Sequence, residues 1–377
     1  MRPLRLLAAA AAGAPTLRGA RAAAPQDRLS GAGGTAPAPD RPRTRNTLRA
    51  WAELLRVSAL FSVPGDAIAG AAAIGRRPNG GTALAVGASL CLYEAGMALN
   101  DWADRAEDAV DRPHRPIPSG RVAPGAALAA AGALTAAGLA LAARAGRPAL
   151  VVASGLAATV WAYDLRLKHT RLGPAAMASA RALDLLLGAT ATGTAAAAGT
   201  GTTGRGGAAH PPPVGKGPAP VPASVSTSAS VPVTPRAALP AALLLGAHTY
   251  AVTSVSRHEA QGGSTVVPLA ALAATAALGA AVAREHREPA RSAPATPDRI
   301  LLTAFTGAYL RTATPPLLHA ALNPSPPLTQ RAVGGGIRAM IPLQAALAAR
   351  AGSPFGGLAV MGLVPVARSL ARKVTPT

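Results

Sequence analysis

The chain has 377 residues, of which 50% belong to the hydrophobic set AVILMFWYC and only 14% are charged. Soluble domains average about 45–50% apolar residues with glycine included, and about 25% charged residues. Since this chain adds 40 glycines to its hydrophobic half, its composition indicates a polytopic membrane protein and excludes disorder throughout. A single cysteine excludes a disulfide scaffold. The net charge is +21, but only 3% of residues are aromatic, so the cations are expected at membrane interfaces and no nucleic-acid partner is predicted.

The first 46 residues differ from the rest of the chain. They are rich in Ala, Gly, Pro and Arg, with eight arginines against two aspartates. Their apolar stretch, 4–12, is too short to span a bilayer. We predict that residues 1–46 form a disordered basic tail and that one membrane domain covers 47–372.

Apolar segments of about 20 residues follow, the length that an α-helix needs to cross the hydrocarbon core. The last two candidates are short and are interrupted by Gly352 and Pro354, so ten spans, or nine and a broken one, fit equally well. Period-two alternation is absent, which favours an all-α protein over a β-barrel. The predicted spans are 49–74, 83–104, 122–143, 148–165, 174–198, 237–258, 264–283, 299–321, 332–350 and 354–371. Between them, the Gly/Thr-, Pro- and Ser/Val-rich segment 199–236 predicts a disordered low-complexity loop.

Polar residues concentrate in one segment, 100–121, which reads NDWADRAEDAVDRPHRPIPSGR. Asn100, Asp104 and Asp108 recur every four residues, so on one helix they form a stripe at the end of the second predicted span. Asp111 extends the stripe by a turn, whereas Asp101 is expected to one side of it.

This stripe favours a metal and phosphate site. Neighbouring carboxylates repel one another, and ionised groups are poorly solvated near a membrane core. Mg²⁺ prefers carboxylate and amide oxygens and shares its coordination shell with phosphates. Arg112 and Arg115 follow directly, and their guanidinium groups suit phosphate oxygens. The segment therefore predicts a Mg²⁺–diphosphate site. A solvated acidic helix end that pairs with nearby arginines is the alternative.

The string N-D-x-x-D-x-x-x-D, followed by R-P-x-R-P-I-P-S-G-R, resembles the UbiA family of intramembrane prenyltransferases. The resemblance covers about 47–371 without the low-complexity loop. It implies about nine transmembrane helices around a central cavity, Mg²⁺ as cofactor and an isoprenyl diphosphate as donor. It also implies that Tyr163, Lys168 and Arg171 form the family's loop in which cations meet the diphosphate.

Two further features bear on the site. Arg181 and Asp184 lie three residues apart inside an apolar segment, which predicts a buried ion pair that is either structural or lines the acceptor site. The family's second Asp-rich motif is altered, because Ser254 and His258 occupy its two positions on a face shared with Tyr250. Arg257 is then expected to clamp the diphosphate and Glu259 to bind Mg²⁺.

We therefore predict a Mg²⁺-dependent prenyltransferase that acts on an unidentified acceptor. The three polar patches follow the second, fourth and sixth spans, so they share one membrane face, and the tail arginines favour the cytoplasmic side of the cytoplasmic membrane. A transporter or lipid-binding protein that uses the acids for ions is the alternative, but it predicts polar residues on both faces. The predicted catalytic residues are Asp104, Asp108, Arg112, Arg115 and Lys168; the substrate-binding residues are Asn100, Asp101, Asp111, Tyr163, Arg171, Arg257 and Glu259; and the metal ligands are Asn100, Asp104, Asp108 and Glu259.

Overall fold

A computed structural model describes residues 41–56, 62–201, 235–284 and 297–374. The described residues from Arg43 onwards belong to one compact unit. The predicted basic tail and low-complexity loop lie almost entirely outside the described residues. All regular elements in the described part are helical, which confirms the all-α prediction. The helices are α1 (Arg41–Leu54), α2 (Val63–Ala73), α3 (Gly80–Ala103), α4 (Arg105–Asp111), α5 (Pro124–Ala145), α6 (Arg147–Ala162), α7 (Gly173–Gly201), α8 (Leu239–Ser256), α9 (Val266–Arg284), α10 (Pro297–Leu322), α11 (Pro326–Arg350) and α12 (Pro354–Val374).

Several helices are suited to a bilayer, and the chain is an integral membrane protein. Within the described residues, six segments are long and apolar enough to cross a membrane. The predicted count of nine is not confirmed. These segments are Gly80–Ala103, Pro124–Ala145, Arg147–Leu167, Pro235–Ser256, Val266–Arg284 and Pro326–Arg350.

The predicted first span, 49–74, is wrong as a single helix. α1 ends at Leu54 and α2 begins only at Val63. Arg56 has φ 49°, a left-handed conformation that a right-handed helix cannot contain. Pro64 lies in the first turn of α2, where its missing N–H leaves no helical hydrogen bond unmade. Leu54 of α1 instead packs in an apolar cluster with residues of α3 and of the loop after α4.

Small residues let α7 approach its neighbours closely. α7 packs against α2, α3, α6 and α8. A Cβ atom on Gly188 would lie 2.4 Å from the Cα of Ala67, and one on Gly81 would lie 2.1 Å from the carbonyl oxygen of Ala191. In lipid, such close backbone packing takes over much of the role that hydrophobic burial has in water. The glycines therefore set the spacing of the helices that enclose the candidate site.

Candidate active site

A cavity of about 300 Å³ lies between α3, α6 and α7. Along α3 it extends from Asn100 to Ser89, a distance of about 16 Å at 1.5 Å per residue. Apolar side chains, among them Leu92, Met97 and Val160, line the middle. Polar groups line both ends. We call one end the mouth, lined by Arg56, Asn100, Tyr163 and Asp164, and the other the deep end, lined by Ser89, Arg181 and Asp184.

The predicted acidic stripe does not lie on one continuous helix. α3 ends at Ala103, and Asp104, with φ −86° and ψ 3°, separates it from α4. Asn100 therefore belongs to α3 and Asp108 to α4. Each side chain meets a different partner: Asn100 Nδ2 donates to Asp164 Oδ1 at 3.1 Å, and Asp104 pairs with Lys168.

Arg115 joins two buried carboxylates beside the mouth, although none of these three side chains lines the cavity itself. Its Nη1 lies 3.1 Å from Asp101 Oδ1 and 2.9 Å from Asp108 Oδ2. Asp101 is 4% exposed and Asp108 is 1% exposed. Asp101, which the sequence places to one side, is therefore part of the cluster. Two more arginines complete it: Arg56 lies 3.3 Å from Asp101, and Arg112 Nε lies 3.2 Å from Asp108 Oδ1.

The second patch reaches this cluster through a π-helical turn, Tyr163–Leu167, that follows α6. π-Helical turns are frequent at functional sites. Here the turn ends just before Lys168, which contacts Asp104, and it buries Asp164 beside Asn100. Arg171 is exposed and has no ion pair with the cluster in the described part of the chain.

The third patch lies in the turn after α8 rather than on the helix itself. α8 ends at Ser256, so the expected helical face that would include His258 is not formed. Arg257 Nη1 donates to the carbonyl oxygen of Thr170 at 2.5 Å, which ties this turn to the second patch. Burial raises the pKa of the half-buried Glu259 above its usual range, and the positive charge of the nearby Arg112 offsets only part of this rise. Glu259 is therefore within electrostatic range of the first patch.

One group of side chains in the described residues has the spacing of a metal site. The ligand atoms of Asp104, Glu107 and His169 all lie within 4.8 Å of one another. Of these, only Asp104 follows from the motif. Glu107 occupies a variable position of the motif, and His169 directly follows Lys168 in the second patch. Their position next to predicted site residues was the only sequence signal that could have identified them. Asp111 is exposed at the end of α4 and lies outside this group.

The predicted ion pair of Arg181 with Asp184 is wrong. Arg181 Nη1 donates to Asp66 Oδ2 of α2 at 2.6 Å, while Asp184 accepts a hydrogen bond from Ser89 of α3. The two side chains lie on the same side of α7 but meet different helices. Asp66 was missed, although an acid inside an otherwise apolar predicted span is itself a signal of function.

Comparisons with known proteins agree with this architecture. The model of the UbiA prenyltransferase family matches residues 62–271, more than half of the chain. A digeranylgeranylglyceryl phosphate synthase of Methanopyrus kandleri is 36% identical over 130 residues, which cover 33% of this chain and 46% of that protein. Its namesake from Ignicoccus hospitalis is 38% identical over 152 residues, which cover 38% and 47% of the two chains.

This chain spans about half the length of these two relatives. The fold is similar to that of an apo UbiA homolog from Aeropyrum pernix K1, with a TM-score of 0.51 and 17% identity over 75% of this chain and 96% of that one. Because the family model spans the helices that carry all three polar patches, the chain belongs to the UbiA prenyltransferase family.

Proposed function

We propose that this protein transfers a prenyl group from an isoprenyl diphosphate to an acceptor inside the membrane. One observation carries the proposal: segments far apart in sequence bring carboxylates and cations together beside the mouth of a cavity with apolar walls, next to Arg56 and Asp164 of its lining. The names of the two archaeal relatives support it. They also make a glyceryl phosphate lipid the first acceptor to test.

The cations beside the mouth are suited to a diphosphate leaving group. Arg115, Arg112 and Lys168 already contact carboxylate oxygens, which have the same charge and hydrogen-bonding character as phosphate oxygens. When the bond between the allylic carbon and oxygen breaks, negative charge develops on the departing diphosphate. Donors that are fixed in place before this step stabilise that charge without reorganisation, which is usually the largest catalytic contribution. Arg257 lies next to these cations, because it donates a hydrogen bond to the carbonyl oxygen of Thr170 in the second patch.

The residues beside the mouth, in a neighbouring depression that Asp164 also lines, fit a Mg²⁺ ion. Asp104 and Glu107 offer two carboxylates in one small group, and carboxylate oxygens are preferred ligands of Mg²⁺. Asp108 Oδ1 is buried without a hydrogen-bond donor, since Arg112 Nε faces it at 3.2 Å outside hydrogen-bonding geometry. We propose that Asp104 and Glu107, which lie close enough to share an ion, hold it first, and that Asn100, Asp108 and Glu259 remain the further ligands expected from the sequence. When bound, Mg²⁺ supplies positive charge against the diphosphate.

The walls of the cavity have a separate role. An allylic fragment that loses its diphosphate gains carbocation character and reacts readily with water. Leu92, Met97 and Val160 line the space below the mouth, and such apolar walls exclude water from the reacting carbon. We further propose that the mouth faces the cytoplasm, because the eight tail arginines bias orientation towards that side.

The test uses the full chain reconstituted in liposomes with labelled geranylgeranyl diphosphate, geranylgeranylglyceryl phosphate and MgCl₂. Diphosphate release and the mass of the lipid product are measured. Asp104→Asn should lower turnover by about 10²–10³-fold, because it removes a carboxylate ligand of the proposed Mg²⁺ ion, which stabilises the negative charge of the leaving group. The matched substitution Asp298→Asn, on the exposed first turn of α10, should leave turnover unchanged. Ion flux without diphosphate release would instead support a transporter.

A further inference from the structure

An open groove lies at the end of the helix bundle that is remote from the mouth. It has a volume of about 560 Å³, within the range of about 300–1,000 Å³ that is typical of ligand sites. Helices α8, α9 and α11 form it, and its lining in the described part of the chain includes no Asp or Glu. The apolar wall consists of Pro240, Leu243, Leu244, Ala247 and Ala281, and two arginines complete the lining, Arg284 and Arg350.

The directions of the three helices place this groove on the membrane face opposite the mouth. α8 runs towards the turn that contains Arg257, and α9 begins after that turn. The N–H of Gly263, which lies between these two helices, donates to the carbonyl oxygen of Pro324 at 2.8 Å, just before α11 begins. The end of α8 and the starts of α9 and α11 are therefore on the side of the mouth. Arg284 and Arg350 are the last residues of α9 and α11, so they lie at the other face.

The apolar wall of the groove faces the lipid. On α8, Pro240, Leu243, Leu244 and Ala247 have the i, i+3, i+4, i+7 spacing of a single helix face. Leu243 is 68% exposed, and Ala247 is exposed as well. The four positions cover about 10 Å along the helix, which is a third of a hydrocarbon core about 30 Å thick. Because this helix is long and apolar enough to cross the bilayer, its exposed stripe is suited to an acyl chain.

The two guanidinium groups match a phosphate group above that acyl chain. Each offers five N–H donors in a planar fork, the geometry that suits phosphate oxygens. A single arginine at the end of a membrane helix is explained by snorkelling to the interface. Arg284 and Arg350, however, come from different helices and line the same groove. Basic pockets of this kind between transmembrane helices are suited to anionic lipid head groups.

We propose that this groove binds an anionic phospholipid, with Arg284 and Arg350 contacting the phosphate of the head group and the stripe on α8 holding an acyl chain. The occupant is a membrane lipid rather than free phosphate, because the apolar wall accounts for most of the lining. The proposal goes beyond prenyl transfer and is independent of it, since the groove lies on the opposite membrane face and shares no residue with the candidate active site.

The test measures lipid binding to the detergent-solubilised full chain by native mass spectrometry, without prenyl donor or acceptor. The probes are phosphatidylglycerol and phosphatidylcholine with identical acyl chains, and wild type should bind the anionic lipid at least tenfold more tightly. An arginine near an anionic lipid contributes about fivefold in affinity, so the double variant Arg284→Gln/Arg350→Gln should bind phosphatidylglycerol about tenfold or more weakly. The matched control Arg144→Gln/Arg147→Gln removes two exposed charges from the same membrane face, outside the groove, and should change this affinity less than twofold.

A third variant tests the apolar wall. Ala247→Phe keeps every charge but fills part of the groove, so it should weaken the binding of phosphatidylglycerol at least threefold. It also decides the matter if the double arginine variant fails to fold. Equal binding of the two lipids to wild type, equal losses in the two double variants, or unchanged binding to Ala247→Phe would overturn the proposal. Displacement of the bound lipid by an equal concentration of glycerol phosphate would also overturn it, because that result would indicate a site for the free anion.

Discussion

Replacing Arg115 tests whether one guanidinium holds the mouth together. Arg115 bridges Asp101 at 3.1 Å and Asp108 at 2.9 Å, and both carboxylates are almost fully buried. Arg115→Gln keeps a similar length and hydrogen-bonding capacity but removes the charge. Both carboxylates then lose the cation that they share, and the loop after α4 loses its link to α3.

The expected loss of stability depends on the cations that remain next to the two carboxylates. Breaking a buried ion pair by removing one partner costs about 3–5 kcal/mol when the other charge is left alone. Here Asp101 keeps Arg56 and Asp108 keeps Arg112, whose side chains are 40% and 46% exposed. Such exposed partners contribute about 0–1 kcal/mol each. We therefore expect Arg115→Gln to lower the free energy of unfolding by about 2–3 kcal/mol.

The single cysteine supplies the assay. Cys91 is partly buried on α3, so its reaction with a thiol-reactive fluorophore reports unfolding during titration with sodium dodecyl sulfate. Arg112→Gln is the matched control and should cost less than about 1 kcal/mol, because its guanidinium is half exposed. An Arg115→Gln variant within about 0.5 kcal/mol of wild type, or equal losses in the two variants, would refute this account of the mouth.

Three further predictions concern packing, pH and metal. Gly188→Ala should destabilise the protein by about 1–3 kcal/mol in the same assay, because the new Cβ would lie 2.4 Å from the Cα of Ala67. In the control Gly132→Ala the new Cβ meets nothing within 4 Å, so this substitution should be neutral or stabilising. Equal effects of the two substitutions would contradict the packing argument. Burial raises the pKa of Glu259, so the folded protein favours the protonated side chain. The stability that this provides is complete below the ordinary pKa of about 4.3 and is lost as pH rises through the raised value. Glu259→Gln should therefore have a higher free energy of unfolding than wild type near neutral pH and the same one at about pH 4; a difference between the two proteins that grows in acid would contradict this prediction. Chelation of divalent cations should reduce diphosphate release to background and MgCl₂ should restore it; full turnover in chelator would exclude Mg²⁺ dependence.

Much of the fold could be predicted from apolar segment length. The segments that became α3, α5, α6, α8 and α9 match predicted spans within a few residues, because each is a nearly uninterrupted apolar run. The prediction of the first span as one helix was wrong because a hydropathy average contains no information about a left-handed backbone conformation such as that of Arg56. It also ignores the helix-start signal that Pro64 provides.

The candidate site, like the fold, was predicted only in part from the sequence. The motif in 100–121 identified Asp104, Asp108 and Arg115 as members of a polar cluster, and parity of the spans predicted that the three patches share one membrane face. Spacing along a chain assumes a straight helix, so the bend at Asp104 and the inclusion of Asp101 could not be derived from it.

The sequence by itself determined that this is a helical membrane protein with one dense acidic and basic motif, because segment length and residue chemistry are local properties. Only the tertiary structure decided which charges meet. Arg181 pairs with Asp66, 115 residues away, rather than with Asp184 on its own helix. The physical reason is that glycine-mediated helix packing brings α2 against α7, and a buried guanidinium binds the carboxylate that this packing presents.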